Sequence, residues 1–141
     1  MIGLSVEVVK EGIKVLQAAE KASVKNLGKF GAFVRERART SIRKRKGTSG
    51  PGSPPSSHTG LLRDKILFLV EPEAHNVVIG PMLLNKVSPT ALKALEHGGA
   101  SLVITKGQLR AVNIAARPFM KPAFDIELEK SPDLWKDSIE E

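Results

Sequence analysis

The sequence predicts an α+β domain in which helices flank a small antiparallel sheet, and three observations lead to this fold class. Apolar residues recur at three- and four-residue steps from residue 5 to residue 46, which is typical of one face of a long helix. Short apolar segments between residues 66 and 114 are joined in pairs by short turns, which predicts about four antiparallel strands. A final apolar stripe after Pro118 predicts a C-terminal helix. The predicted order is a long N-terminal helix, a loop, a hairpin, a short helix, a second hairpin and a last helix.

The long N-terminal helix is predicted over residues 5–46, with Ser5 as its N-cap and Gly47 as its terminator. Gly28 and Gly31 lie inside it, and each costs about 1 kcal/mol relative to Ala in a helix interior. They could mark a bend, a break into two helices, or the close approach of a neighbouring element. The apolar stripe that predicts this helix consists of Val6, Val9, Ile13, Leu16, Leu27, Phe30, Val34, Ala38 and Ile42.

The next segment, at about residues 47–58, is a loop rich in proline, glycine and serine. Pro54-Pro55 is stiff and extended, and the alternation of Gly with Ser favours neither helix nor strand. A loop of about a dozen residues is long for a compact domain, so we expect it to be flexible or functional. We interpret it as part of a single domain over residues 1–141 and not as a linker between two domains.

Two β-hairpins are predicted in the second half of the chain. Strand-forming residues occupy 66–71 and 76–80, and the short connection between them favours an antiparallel pair. A second pair is predicted at 101–105 and 109–114, turned at Lys106-Gly107.

The remaining helices have recognisable boundaries. Ser88 is a plausible N-cap and Pro89 a first helical residue for a short helix that ends at Gly98. The C-terminal helix is expected to begin near Pro122, because a proline would clash inside a helix already running from Pro118. Its expected inward residues are Phe119, Ala123, Ile126 and Leu128.

Composition limits the class of protein. The chain carries a formal charge of +7 and contains no cysteine, so disulfides and thiolate sites are excluded. No stretch approaches the roughly 18 apolar residues of a membrane span, and no signal peptide is recognisable, so no membrane association is expected. Cations concentrate between residues 35 and 46 and acids after residue 125, which suggests contact with polyanions or head-to-tail self-association.

No catalytic, cofactor or metal site is recognisable. His58, His75 and His97 lack the spacing of metal ligands, and the glycine-rich loop lacks the order of a phosphate-binding loop. Carboxylates cluster only in the C-terminal segment. We therefore expect a protein that is not an enzyme.

The run of cations between residues 35 and 46 has two interpretations that the sequence leaves open. It is either a solvated helix end or a surface for phosphate backbones or acidic partners. No aromatic residue lies within it, so a base-stacking platform is not expected. The candidate contact residues are Arg39, Arg43, Lys44, Arg45 and Lys46.

Several weak motifs follow one another along the chain: HTGLLRDKI, VVIGP, ALEHGG and AARPFMKPAFD. Together they resemble the head-to-tail joining proteins of tailed bacteriophages, also called neck or tail-completion proteins and described as minor tail components. The residues that carry the resemblance and are expected to have structural roles are Thr59, Gly60, Leu62, Gly80, Glu96, Gly98, Gly99, Arg117, Pro118, Phe119 and Pro122.

The resemblance implies a non-enzymatic virion protein, encoded by a phage or prophage, that is made in the bacterial cytoplasm and assembles at the head–tail junction. Such proteins form rings, commonly hexameric, and contact head-closure or connector proteins and tail-terminator or tail-tube proteins. Head-closure and tail-terminator proteins are themselves related alternatives of similar size. The alternative from the residues alone is a basic module that binds nucleic-acid backbones, and in a ring the same cations would face either DNA in the lumen or an acidic partner.

Overall fold

The N-terminal part of the chain forms one uninterrupted helix. The computed structural model describes residues 2–82 and 89–139, and in it α1 spans Ile2–Ser41. Position 5 therefore lies inside the helix and not at its N-cap, and the helix ends five residues before the predicted boundary. The hydroxyls of Thr40 and Ser41 donate to carbonyls one turn back. Ile42, which follows, is completely buried. These two effects turn the chain inward, so residues 43–46 follow the helix and do not form its last turn.

One face of α1 supplies about half of the hydrophobic core. Its residues from position 30 onward are buried against the first hairpin and the last helix, while residues 10–17 are all exposed. Complete burial of one such side chain contributes roughly 1.5–3 kcal/mol. The core therefore lies at the C-terminal half of α1. It consists of Phe30, Val34, Ala38, Ile42, Ile66, Phe119 and Ala123.

Gly31 explains how closely the first hairpin approaches α1. A Cβ at this position would lie 2.7 Å from Cδ2 of Phe68 and 2.9 Å from Cγ2 of Val77. At Gly28 the nearest atom would be Cγ2 of Val70, at an ordinary 3.9 Å. Gly31 therefore permits the close approach of the first hairpin, which is one of the three roles left open for these glycines. Neither glycine breaks the helix.

Two short elements follow α1. Strand β1 (Arg43–Lys44) pairs in parallel with β2 (Ser56–Ser57). The four-residue helix α2 (Leu61–Asp64) begins after Gly60, whose φ of 84° is in the left-handed region that favours glycine.

The first hairpin lies against α1. Strands β3 (Ile66–Glu71) and β4 (Asn76–Pro81) are antiparallel, with Phe68 opposite Ile79. Because side chains alternate, Ile66 and Phe68 face α1 and the intervening residues face outward.

The second hairpin follows a short helix. Helix α3 (Pro89–His97) packs on β5 (Gly99–Thr105), which pairs with β6 (Gln108–Ile114). Lys106 and Gly107 both have positive φ, as a type I′ turn requires. The predicted N-cap of α3, Ser88, lies outside the described residues.

The last helix, α4, spans Met120–Trp135 and packs on α1. It begins before Pro122, because that proline lies within the first turn, where its missing N–H has no intrahelical partner to lose. Phe119 and Ala123 are buried as predicted. The expected inward positions Ile126 and Leu128 are wrong, since they are 42% and 48% exposed.

Glu127 occupies the inward position between those two residues. Its carboxylate accepts a short hydrogen bond from Nε of Arg37 on α1, and Nζ of Lys130 lies 3.5 Å away. Further along α4, Pro132 cannot donate to the carbonyl of Leu128, and the hydroxyl of Ser131 donates to that carbonyl at 2.8 Å. Arg37 of α1 thus pairs with the inward carboxylate of Glu127, and Ser131 supplies the hydrogen bond that Pro132 cannot make.

The predicted fold class is confirmed: a long N-terminal helix, antiparallel hairpins, a short helix and a C-terminal helix on α1. The predicted antiparallel strands form two separate hairpins, and no ladder joins them within residues 2–82 and 89–139. None of the described helices combines the length and the hydrophobicity that a membrane crossing requires.

Candidate interaction surface

The basic residues divide into two groups in the structure. Arg39 belongs to α1, its side chain is 26% exposed, and its guanidinium lies 3.6 Å from the carboxylate of Glu36 and 3.7 Å from that of Asp64. It therefore connects α1 to α2. The other four candidate contact residues, at positions 43–46, all lie beyond the helix and are exposed.

Residues 43–46, which we call the basic segment, are held in place by the end of the loop. The backbone N–H of Arg45 donates to the carbonyl of Ser57 at 3.2 Å, and its Nε donates to Oγ of Ser56 at 2.8 Å. The extended backbone sends successive side chains in opposite directions. Arg43 and Lys44 of β1 therefore point to two different sides, and Arg45 and Lys46 follow the strand as exposed cations.

The Pro/Gly/Ser-rich loop is anchored to the body of the domain. The N–H of Gly52 donates to the carbonyl of Ala116 at 2.8 Å, and Nε of Arg117 donates to the carbonyl of Ser49 at 2.9 Å. Ser49 and Pro55 are buried. The two hydrogen bonds tie the first half of the loop to the segment before α4, while its flexibility in solution stays a prediction.

Glu96, one of the motif residues, caps α4 from the end of α3. Its Oε2 accepts the backbone N–H groups of Phe119 at 3.0 Å and Met120 at 3.1 Å, and its Oε1 accepts that of Lys121 at 2.7 Å. The first N–H groups of a helix have no intrahelical partner, and a negative charge is favourable there. A single carboxylate thus fixes where α4 begins relative to α3.

Two further motif residues close the same junction. The N–H of Arg117 donates to the carbonyl of Leu95 at 2.7 Å. Gly98 has a φ of 79°, and a Cβ on it would lie 3.3 Å from the backbone nitrogen of Ala116. The chain segments at 95–98 and 116–121 therefore touch directly.

The other motif residues have individual structural roles. Oγ1 of Thr59 accepts the N–H of Leu61 at 3.3 Å, and Leu62 packs on the core. Gly80 pairs with Leu67 in the first hairpin, and Gly99 pairs with Ile114 in the second. The remaining residues of the closing motif are the half-buried Pro118, the 2% exposed Phe119, and Pro122, which is exposed in the first turn of α4.

An apolar groove of about 430 Å³ lies between α1, the first hairpin and α4. Val34, Val77, Ile79, Met120 and Phe124 form its apolar lining. Phe124 also contacts the edge of the Phe30 ring, with centroids 5.6 Å apart. Glu96 and His97 at the end of α3, together with Lys121 and Asp125, complete the lining, so the groove is apolar and charged in part.

Sequence reasoning missed the outward faces of the two hairpins. Leu67, Leu69 and Val78 are 43%, 64% and 56% exposed on the first, and Leu102, Ile104 and Leu109 are 52%, 70% and 66% exposed on the second. The signal was present in the sequence, because a run such as ILFLV is apolar in both phases of a strand and cannot bury both faces against one helix.

Comparison with models of protein families, with curated proteins and with solved structures found no match. A functional interpretation therefore depends on the sequence motifs and on the geometry described above.

Proposed function

We propose that this chain is a non-enzymatic structural subunit of a tailed-bacteriophage virion that assembles as a ring at the head–tail junction. The observation that carries the proposal is the large apolar surface of so small a domain. Within the described residues, eighteen large hydrophobic side chains are exposed and only nine hydrophobic residues are buried. Monomeric proteins rarely expose contiguous apolar patches larger than a few hundred Å², so the neighbouring exposed side chains on one face of each hairpin favour burial in an assembly.

The arrangement of the motifs gives the proposal further support. ALEHGG and ARPFMKPA are 16 residues apart in the sequence, yet they meet at one junction through Glu96, and Arg117 ties the Pro/Gly/Ser-rich loop to the same junction through Ser49. Motifs that meet in space constrain one another, which is expected where they specify one local structure. The resemblance to neck proteins rests on these two motifs together with HTGLLRDKI and VVIGP.

The proposed partners follow from the resemblance. Copies of the chain would contact one another in a ring, commonly of six, with a head-closure or connector protein on one side and a tail-terminator or tail-tube protein on the other. The ring would form on virions assembled in the bacterial cytoplasm. The basic segment would face either the DNA in the lumen or an acidic surface of a neighbour.

Electron microscopy of particles made without this protein tests the proposal. We expect DNA-filled heads and separate tails, and we expect the purified chain to restore joined particles. Joined, infectious particles in its absence would contradict the proposed role. The Glu129→Gln variant, altered at an exposed carboxylate of α4, is a control that should restore joining as well as the natural chain.

The exposure of the basic segment supports a second candidate, a module that binds nucleic-acid backbones as a monomer. For such a module, the logarithm of the association constant for duplex DNA should fall linearly with the logarithm of the salt concentration. The slope should be about −0.9 per phosphate neutralised, or about −3.6 for four contacts. Replacing all four cations with Ala should then abolish most of the slope. The matched control removes the same charge from α1, at the exposed residues Lys10, Lys14, Lys21 and Lys25.

A ring subunit should instead bind DNA weakly as a free chain, with a slope that both quadruple variants change equally. A steep slope that only the variant of the basic segment loses would favour the DNA-binding module over the structural role.

A further inference from the structure

The outward face of the first hairpin is apolar and uncharged along most of its length. The register places Leu67 opposite Gly80 and Leu69 opposite Val78 on this face. Glu71 is the first charged residue, at the end of the strand next to the turn. None of the described residues covers the face, since its leucines and valine are 43–64% exposed.

The outward face of the second hairpin has the same character. Leu102 pairs with Ala111 and Ile104 with Leu109, and these four residues carry no charge. Ser101 and Val103 lie on the opposite face, which α3 partly covers. Among the residues that the structure describes, one chain thus presents two uncovered apolar sheet faces, one on each hairpin.

The tips of the two hairpins carry opposite charges. The turn of the first hairpin contains Glu71 and Glu73, both exposed. The turn of the second contains Lys106, which is exposed, whereas Arg110 of the following strand pairs with Val103 and therefore belongs to the opposite face. Charge complementarity of this kind selects a partner and its orientation. The first hairpin is therefore complementary to the second hairpin and not to another first hairpin.

We propose that the outward face of the β3–β4 hairpin of one copy binds the outward face of the β5–β6 hairpin of the next copy. This contact deepens the proposed ring and rests on it. The strands are six and seven residues long, or about 20 and 23 Å at the usual rise per residue. Two sheets of similar length can pack face to face and bury both apolar surfaces. Because the two surfaces differ, the contact is heterologous and can repeat around a ring.

The contact can be trapped in solution, because the chain contains no cysteine. Leu69→Cys and Ile104→Cys change side chains that are 64% and 70% exposed, so neither should disturb the fold. The two variants, with tags of different size, are mixed in equal amounts and oxidised. We expect the mixed disulfide dimer to form at least severalfold faster than either homodimer.

A matched control pairs Leu69→Cys with Leu128→Cys, which is 48% exposed on α4 and outside both hairpins. The mixed dimer of this pair should form no faster than random collision. If the Leu69→Cys homodimer dominates instead, the face binds a second copy of itself. If no pair exceeds the control, the face takes another partner or none. Either result overturns the proposal.

A charge swap tests the orientation. Glu73→Lys in the Leu69→Cys chain should slow formation of the mixed dimer about two- to fivefold at low salt, as expected for exposed ion pairs. Lys106→Glu in the Ile104→Cys chain should restore the rate. An absence of rescue would contradict the proposed alignment of the tips.

Failure of this contact and failure of the proposed function give different results. Trapping of the mixed dimer, together with joined particles in the absence of the chain, would leave the contact standing and remove the head–tail role. Unjoined heads and tails without any specific trapping would retain the role and remove the contact.

Discussion

Replacing Glu96 is expected to loosen the whole C-terminal part of the domain, because one carboxylate organises the start of α4. Its two oxygens accept the N–H groups of Phe119, Met120 and Lys121 at 2.7–3.1 Å. Glu96→Ala leaves these donors without that acceptor, and two of the three hydrogen bonds are partly buried. Phe119 belongs to the core, so displacement of the helix start also affects core packing.

The magnitude follows from the geometry. Hydrogen bonds to a charged acceptor contribute roughly 1.5–3 kcal/mol each, and caps contribute about 0.5–2 kcal/mol in total. The exposed amide of Lys121 can be solvated by water, so we expect Glu96→Ala to lower the free energy of unfolding by about 2–4 kcal/mol. Glu96→Gln keeps one acceptor oxygen and loses the charge, so its cost should be about half as large.

Urea denaturation and thermal melting followed by circular dichroism measure the effect. For a chain of this size, 1 kcal/mol corresponds to about 3 °C, so Glu96→Ala should lower Tm by about 6–12 °C. The matched control is Glu129→Ala, which removes an exposed carboxylate of α4 and should change Tm very little. If the free energy of unfolding of Glu96→Ala lies within about 0.5 kcal/mol of that of the natural chain, the reasoning is refuted, because surface substitutions alone have effects of that size.

Three further predictions concern α1, α4 and the loop. Gly31→Ala should destabilise the protein by about 1–3 kcal/mol through overpacking, whereas Gly28→Ala should stabilise it by about 0.5–1 kcal/mol. If urea denaturation gives changes in the free energy of unfolding of the same sign for both variants, the geometry is contradicted. Arg37→Ala and Glu127→Ala should each cost about 1–3 kcal/mol, and a double-mutant cycle should give a coupling energy of about 1 kcal/mol or more; additive effects would show that the pair does not interact. Arg117→Ala should accelerate amide hydrogen exchange in the Pro/Gly/Ser-rich loop, with Arg110→Ala as an exposed control; unchanged exchange would mean that the anchor is not needed.

The order of the helices and strands could be predicted from the sequence because each has a local signature. The helical stripe, the two-residue turn at Lys106-Gly107 and the terminator at Gly98 depend on residues close in sequence. The position at which α1 ends could not, because it depends on burial of Ile42 by residues far along the chain. The predicted inward face of α4 was wrong for a related reason. Glu127 points inward in place of its apolar neighbours because its carboxylate pairs with Arg37 of α1.

The candidate surface was only partly predictable. Four consecutive candidate cations do form one exposed segment, as their adjacency in sequence implies. Arg39 is separated from them by pairing with Asp64, a residue 25 positions later that no local pattern connects to it. The capping role of Glu96 likewise joins two helices across the second hairpin, a relation that motif order suggests but that only the folded chain specifies.

The junction at Leu95 and Arg117 has a consequence for how this protein can vary. The second hairpin begins after Leu95 and ends before Arg117, and the 2.7 Å hydrogen bond between these two residues holds its two ends together. Its length and outer sequence can change while the helices on either side keep their mutual position. Substitutions on the outer face of this hairpin should therefore alter the proposed contact between copies while leaving the packing of α3 and α4 intact.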